Sequence, residues 1–566
     1  MFYYIPLHYD FHSRSVFSIS AGRLTYVTVK IIRVMVLSFT LCWKKHRRSK
    51  LKILLVYPQY PDTFWSFKHA LKFIFKKAAF PPLGLLTVAA MLPEEWEKKL
   101  VDLNTTVLTD KDLKWADYVF LSAMVAQQNS AREVIDRCKK LGTKIVAGGP
   151  FFNPGYEEFG FDDMDYLIFG EAENILPLFL EDLEKGCAKH IYTSEERPDI
   201  RESPVPLWSL INKKKYQSMT IQYSRGCPFN CEFCDIIILN GHRPRTKDKS
   251  QVIAELDAIY DRGWRGGVFF VDDNFIGNKR KLKSEILPAI IKWMEEKNHP
   301  FTFYTEASIN LSDDEELMRL MTEAGFNMVF VGIESPSEES LVECNKLQNK
   351  NRDLLASVKR MQNYGLQVQG GFIVGFDSDP LSIFKSQIEF IQKSGIVMAM
   401  VGVLMAPPET RLYKRLKKEN RILPKGSGDN TDGSTNFIPK MGREALASGY
   451  RHVVDTIYAP KQYYERIKTF LKEYKPGNKG KFKISLVQLI ALIRSTWVLG
   501  FKEKGRIHYW KFVIWTLLRK PKTFPLSVTL AVQGFHFRKV AEKVRASLAS
   551  DIRRLEPARE PIGKHN

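Results

Sequence analysis

From Leu51 onward, short apolar runs alternate with amphipathic helical stretches, and this alternation restricts the fold more than any other feature of the chain. Runs at 51–57 (LKILLVY), 99–103 (KLVDL), 117–123 (DYVFLSA), 143–149 (TKIVAGG) and 165–170 (DYLIFG) are separated by stretches such as SAREVIDRCKKLG (130–142), which closes on a glycine. Strands apolar on both faces and separated by helices specify a doubly wound parallel sheet. Such sheets bind ligands beyond the carboxyl ends of their strands. Here those ends carry Ser122, Gly148, Gly149, Gly170 and Glu171.

A proline-marked linker, SPVPLWSL (203–210), precedes a second alternating series with strands at 219–223, 267–271, 301–306, 328–333, 368–374 and 399–404. Six β/α units in a row predict a partial barrel, functional at its strand C-termini. One intervening helix, SDDEELMRLMTEAG (312–325), is expected to start from Ser312 as N-cap with an acidic first turn. The implied division is a basic extension at 1–50, a doubly wound domain at 51–200, a barrel at 201–420 and a helical accessory region at 421–566. The fold class is α/β with a helical C-terminal region.

The loop after the first barrel strand reads QYSRGCPFNCEFCDIII (222–238) and holds three of the chain's seven cysteines. The other four are scattered singly, and an odd, sparse set in a long chain argues against a disulfide framework and for a reducing cytoplasm. The crowded trio points to metal or redox chemistry. Three thiolates alone do not complete a tetrahedral zinc site, although His242 could supply a fourth ligand; soft thiolates equally suit an iron–sulfur cluster. Three ligands on a four-iron cluster would leave one iron open.

The net charge of +22 is unevenly placed: residues 1–50 carry nine basic and one acidic side chain, and 441–566 carry 26 and nine, so the centre is close to neutral. Basic flanks around a neutral core suggest ends that touch something anionic, membrane or nucleic acid. The apolar run at 31–43 is broken by Arg33, too short to span a bilayer and followed by basic residues rather than a cleavage site, so it reads as a peripheral helix or a non-native extension. The basic, aromatic helices of 485–524 fit either a bilayer interface or an accessory domain packed on the barrel.

Cys227-x-x-x-Cys231-x-x-Cys234, with Phe233 before the last cysteine, resembles the signature of the radical S-adenosylmethionine superfamily. The resemblance implies that the three thiolates hold a [4Fe-4S] cluster whose open iron binds S-adenosylmethionine. It places further contacts to that molecule at Phe233, at Asp272, Asp273 and Asn274 after the second barrel strand, at Glu306 and Ser308, at Glu334, and at Gly371 and Gly375 of GFIVG. Each carboxylate taken alone could be a structural cap or an ion-pair partner. Their recurrence at successive strand ends favours a site.

The doubly wound domain ahead of the barrel is similar to that of cobalamin-binding radical enzymes. The resemblance places cobalamin against Ser122, Gly148, Gly149, Gly170 and Glu171, with Gln127 and Gln128 near the lower face of the cobalt. The histidine-bearing Asp-x-His-x-x-Gly sequence of that family is absent: in YPQYPDTFWSFKHAL (57–71), Asp62 and His69 are wrongly spaced, and His69 reads as a helix residue. Residues 80–104, 269–283 and 430–441 resemble the subfamily that includes the hopanoid C-2 methylase. Methyl transfer to an unactivated carbon of a lipid such as a hopanoid is therefore implied, with an electron donor such as flavodoxin or ferredoxin. The location implied is cytoplasmic, with peripheral contact at the inner face of the membrane. A cobalamin radical enzyme performing oxidation or cyclisation is the main rival. An RNA-modifying enzyme fits less well, since its type carries a second cluster on three N-terminal cysteines and residues 51–200 hold only Cys138 and Cys187. Nucleic acid is not expected as a partner.

Overall fold

The first sheet is built from β1 (Lys52–Tyr57), β2 (Glu97–Asp102), β3 (Tyr118–Ser122), β4 (Lys144–Gly148), β5 (Tyr166–Phe169) and β6 (Ile191–Thr193). All its neighbours pair in parallel, in the order β2-β1-β3-β4-β5-β6. Alternate residues of β1 serve opposite faces: Leu54 and Val56 join one buried cluster, Ile53 and Leu55 the other. That double burial is why the run reads as continuously apolar. In the computed structural model the described residues are 50–555, apart from 154, 156–159, 424–426, 430 and 477–485. The extension at 1–49, with its apolar run, lies outside them.

The second sheet contains β7 (Met219–Ile221), β8 (Gly267–Phe270), β9 (Thr302–Glu306), β10 (Phe326–Glu334), β11 (Gln367–Val374) and β12 (Ala399–Val403). Its order is strictly sequential and parallel, and β7 and β12 are edges, so the barrel is open. The register sets the lumen in layers. Tyr304 lies beside Met328 and Gln367, and above them Glu306 lies beside Phe330 and Gln369. The helix after β9, α1 (Glu315–Ala324), is capped by Asp314, whose carboxylate accepts from Leu317 N at 3.0 Å. Ser312 is not the cap as expected, because residues 309–313 first make a tight 3-10 turn that buries it.

The C-terminal region is helical: α2 (Arg443–Tyr458), α3 (Pro460–Glu473), α4 (Leu486–Trp497), α5 (Arg506–Arg519) and α6 (Phe524–Leu555). Tyr450, Tyr463, Phe470, Tyr509, Phe512 and Phe537 all belong to the same buried cluster as the barrel helices. These helices therefore complete the barrel's core.

Candidate functional site

The cysteine loop leaves β7 and returns through a two-residue antiparallel ribbon, Ser224–Arg225 against Arg245–Thr246. Its neck is closed at Gly226 (φ +96°), where a Cβ would lie 2.8 Å from Arg243 O and 2.9 Å from Gly241 O, so only glycine fits. Cys227 N donates to Gly241 O at 3.1 Å, and Cys234 N to Cys231 O at 3.3 Å. Cys231 is buried, with the other two thiols partly so. Burial pushes the Cys227 and Cys234 thiols above the ordinary thiol range. His242 is exposed, and among the described residues no three His, Cys, Asp or Glu side chains gather around a point suited to a single ion.

The carboxylates at the strand ends fall into two groups. Asp272 is buried and accepts from Tyr223 N (3.2 Å), from Ser224 N and from Ser224 Oγ (2.6 Å). Asp273 accepts from Gly226 N at 2.7 Å and Asn240 Nδ2 at 2.9 Å. Both hold the neck of the cysteine loop, and Asn274 accepts from Ser308 N at 3.2 Å. Burial raises both carboxyls, Asp272 to about 7. Glu306 belongs to the lumen layer; among the described residues no side-chain hydrogen bond reaches its carboxylate, and burial followed by Asp273 and Asp272 raises its carboxyl to about 7.

Glu334 ends β10 with φ +62° at an irregularity in the pairing with β11. A non-glycine residue held there stores roughly 1–3 kcal/mol of strain, which marks functional positions more often than random ones. Its carboxylate pairs with Lys346 Nζ at 2.7 Å. Burial alone would lower the Lys346 ammonium, but Glu334 and Cys231 beside it hold it above the usual lysine range. Lys346 escaped the sequence reading because nothing in ECNKLQNK (343–350) separates it from a surface lysine. Gly371 faces Phe330, where a Cβ would lie 2.8 Å from its ring, and Gly375 N donates to Asp379 at 2.9 Å. Phe233 packs on Phe376, ring centroids 6.3 Å apart.

In the first sheet, Ser122 of β3 and Gly148 of β4 are paired neighbours. At Gly149 (φ +96°) a Cβ would lie 2.4 Å from Ser122 Oγ, so only glycine fits beside the serine hydroxyl at this strand end. Gln127 is buried and both ends of its amide are used on backbone: Oε1 accepts from Met124 N at 2.8 Å and Nε2 donates to Pro58 O. Gln128 Nε2 donates at 2.8 Å to Ser427 O of the loop preceding α2. Glu171, just beyond β5 and Gly170, turns toward the barrel and pairs with Arg225 at 2.8 Å and Arg245 at 2.7 Å. Glu173 pairs with Arg225 at 2.8 Å. His69 lies in a short helix, 4.0 Å from Asp62, as the sequence suggests.

Comparison with known proteins matches residues 77–180 to the B12 binding domain, 221–391 to the Radical SAM superfamily and 410–550 to a domain of unknown function (DUF4070). The chain is 41% identical over 506 residues to an uncharacterized methyltransferase of Synechocystis sp., covering 89% of this chain and 94% of that protein. It is 33% identical over 489 residues to the hopanoid C-2 methylase of Rhodopseudomonas palustris, covering 83% and 90% respectively. Among solved structures, the cobalamin-dependent S-adenosylmethionine radical enzyme OxsB, with aqua-cobalamin and S-adenosylmethionine bound, superposes with a TM-score of 0.55 at 15% identity, covering 89% of this chain and 81% of that one.

Proposed function

Because the chain belongs to the cobalamin-dependent radical S-adenosylmethionine methyltransferases, whose cofactors are a [4Fe-4S] cluster, S-adenosylmethionine and cobalamin, we propose that it methylates an unactivated carbon of a membrane lipid of the hopanoid class. The observation that carries the lipid is the 33% identity to a hopanoid C-2 methylase along 90% of that enzyme's length. Together the cofactors supply a radical that removes a hydrogen atom and the methyl group that replaces it.

The residues present suit these groups. Cys227, Cys231 and Cys234 would hold the cluster on one closed loop; a cubane takes each thiolate on a different iron, so the thiols need not converge on one point. S-Adenosylmethionine is assigned to the lumen side of Glu306, Ser308, Glu334, Gly371 and Gly375, with Phe233 beside the cluster. Asp272, Asp273 and Asn274 position this site by fixing the loop neck and Ser308. Cobalamin is assigned to the strand ends at Ser122, Gly148 and Gly149, where the two glycines let the Ser122 hydroxyl and the neighbouring strand pack closely and leave only small groups toward a ligand. Gln127 and Gln128 shape the wall of that groove, while Gly170 and Glu171 set the turn that ties it to the barrel. A one-electron donor such as flavodoxin or ferredoxin completes the system in the cytoplasm, at the inner face of the membrane.

The test is an anaerobic assay of reconstituted protein with cobalamin, reductant, methyl-labelled S-adenosylmethionine and a total bacterial lipid extract. 5′-Deoxyadenosine together with label in a lipid is expected, and Cys227→Ala should lose both along with its iron. 5′-Deoxyadenosine without labelled lipid would overturn the lipid substrate, and a Cys227→Ala protein with unchanged iron would overturn the cluster assignment.

A further inference from the structure

Resting on the lipid reading above, we infer that the outer face of the helical hairpin α4–α5 docks the enzyme onto an anionic bilayer. The hairpin has two unlike sides. Its inner side is structural: Leu499, Tyr509, Phe512 and Thr516 are buried, and Phe512 stacks on Tyr464 of α3 at 5.2 Å.

Its outer side carries large apolar residues that face solvent. On α4 the exposed positions are Leu489, Ile493 and Trp497, spaced four apart, at 45%, 62% and 56% exposure. On α5 the exposed apolar residues are Ile507, Ile514 and Leu518 on one stripe, at 63%, 55% and 77%, with Trp510 and Leu517 flanking it and the exposed Lys511 lying within it. Phe501 joins the two stripes, its ring 5.5 Å from Trp497 and 5.9 Å from Trp510. An apolar surface of this continuity on a folded protein marks a contact site.

The charge around it selects the partner. Residues 486–524 carry eight basic side chains and one acidic. Lys502 Nζ lies 5.7 Å from the Trp497 ring, and the Arg494 guanidinium lies 4.5 Å from the ring of Phe75, itself 61% exposed. Long aliphatic residues interleaved with tryptophans and with Lys and Arg, whose stems can lie along apolar surface while their charged ends reach out, match the composition of an interface helix, where cations meet anionic headgroups. No helix among the described residues is long and apolar enough to cross a membrane, so the hairpin lies on the surface. A second copy on the same face would set one basic segment against another, which disfavours self-docking.

The test uses the full-length protein and the variant Ile514→Glu/Leu518→Glu, both positions being exposed and outside the core. Sedimentation is measured with vesicles of phosphatidylcholine alone and of phosphatidylcholine mixed with phosphatidylglycerol. The unmutated chain should sediment with the anionic vesicles, more weakly at high salt, and the variant's partitioning should fall by about tenfold or more. Equal sedimentation of the two proteins would overturn the assignment. So would light scattering that finds the unmutated chain dimeric and the variant monomeric in lipid-free buffer, with neither bound to vesicles. Methylation of detergent-dispersed lipid separates the two inferences. The variant should match the unmutated chain there and lag only on vesicle-embedded lipid. If the unmutated chain labels no dispersed lipid, the substrate reading fails while sedimentation still decides the surface.

Discussion

Glu306 is an acid whose carboxylate meets no hydrogen-bond donor among the described residues, and that has a measurable sign. Its native carboxyl titrates at about 7 against an ordinary 4.5, because of burial first and then Asp273 and Asp272. Between those values the folded chain binds more protons than the unfolded one, so this residue lowers stability progressively as pH rises across the window. Glu306→Gln should therefore melt above the unmutated protein at pH values past about 7 and match it below about 4.5. A gap of equal size at both ends, measured by scanning fluorimetry, would rule out this origin. Such single residues were unevenly legible. The spacing of Cys227, Cys231 and Cys234 is a local pattern and could be read directly. The Glu334–Lys346 pair depends on a left-handed turn and a loop closing back on it, neither of which leaves a periodic trace.

At the scale of elements, the turn after β5 is fastened to the cysteine loop by charge. Burial would raise the Glu173 carboxyl, yet the Arg225 guanidinium beside it holds it down at about 2. The pair's contribution is present above the ordinary 4.5 and is lost as pH falls toward 2. Arg225→Ala leaves Glu173 buried without its partner, which should cost roughly 3–5 kcal/mol in denaturant unfolding. Adding Glu173→Gln should recover most of that loss; a double variant no more stable than the single one would show that packing of the Arg225 stem, not charge, is responsible. The sequence predicts the strands on either side of this clamp because apolar alternation is their own property. It does not announce β6 (Ile191–Thr193), three residues long at a sheet edge with two of them exposed. Nor does it announce that Glu171 faces two arginines of the next domain, since such pairs join residues more than fifty positions apart.

On the scale of the whole molecule, three parts of the chain meet at the segment after β1. Trp65 reaches over the barrel lumen, its ring 5.3 Å from Phe330 and its Nε1 donating to Met400 Sδ at 2.9 Å, while remaining 37% exposed. Behind it, Phe64 stacks on Phe537 of α6 at 4.3 Å, and His536 Nε2 donates to Phe64 O at 3.0 Å. The C-terminal helix thus holds a residue of the first domain at the mouth of the second. Deleting 485–566 would strip the barrel's own core, so exposed positions are the better probe of this region. Two substitutions separate holding from contact. Phe537→Ala should cost about 3–5 kcal/mol of stability, as an opened core position does. Trp65→Ala, at a position 37% exposed, should cost less stability than Phe537→Ala and keep iron and cobalamin near those of the unmutated chain, while raising the lipid KM about tenfold, as loss of part of the wall that receives an apolar substrate would. A Trp65→Ala enzyme with unchanged KM would place the substrate elsewhere in the lumen. Trp65→Phe, which keeps a ring but not the Met400 hydrogen bond, should fall between the two.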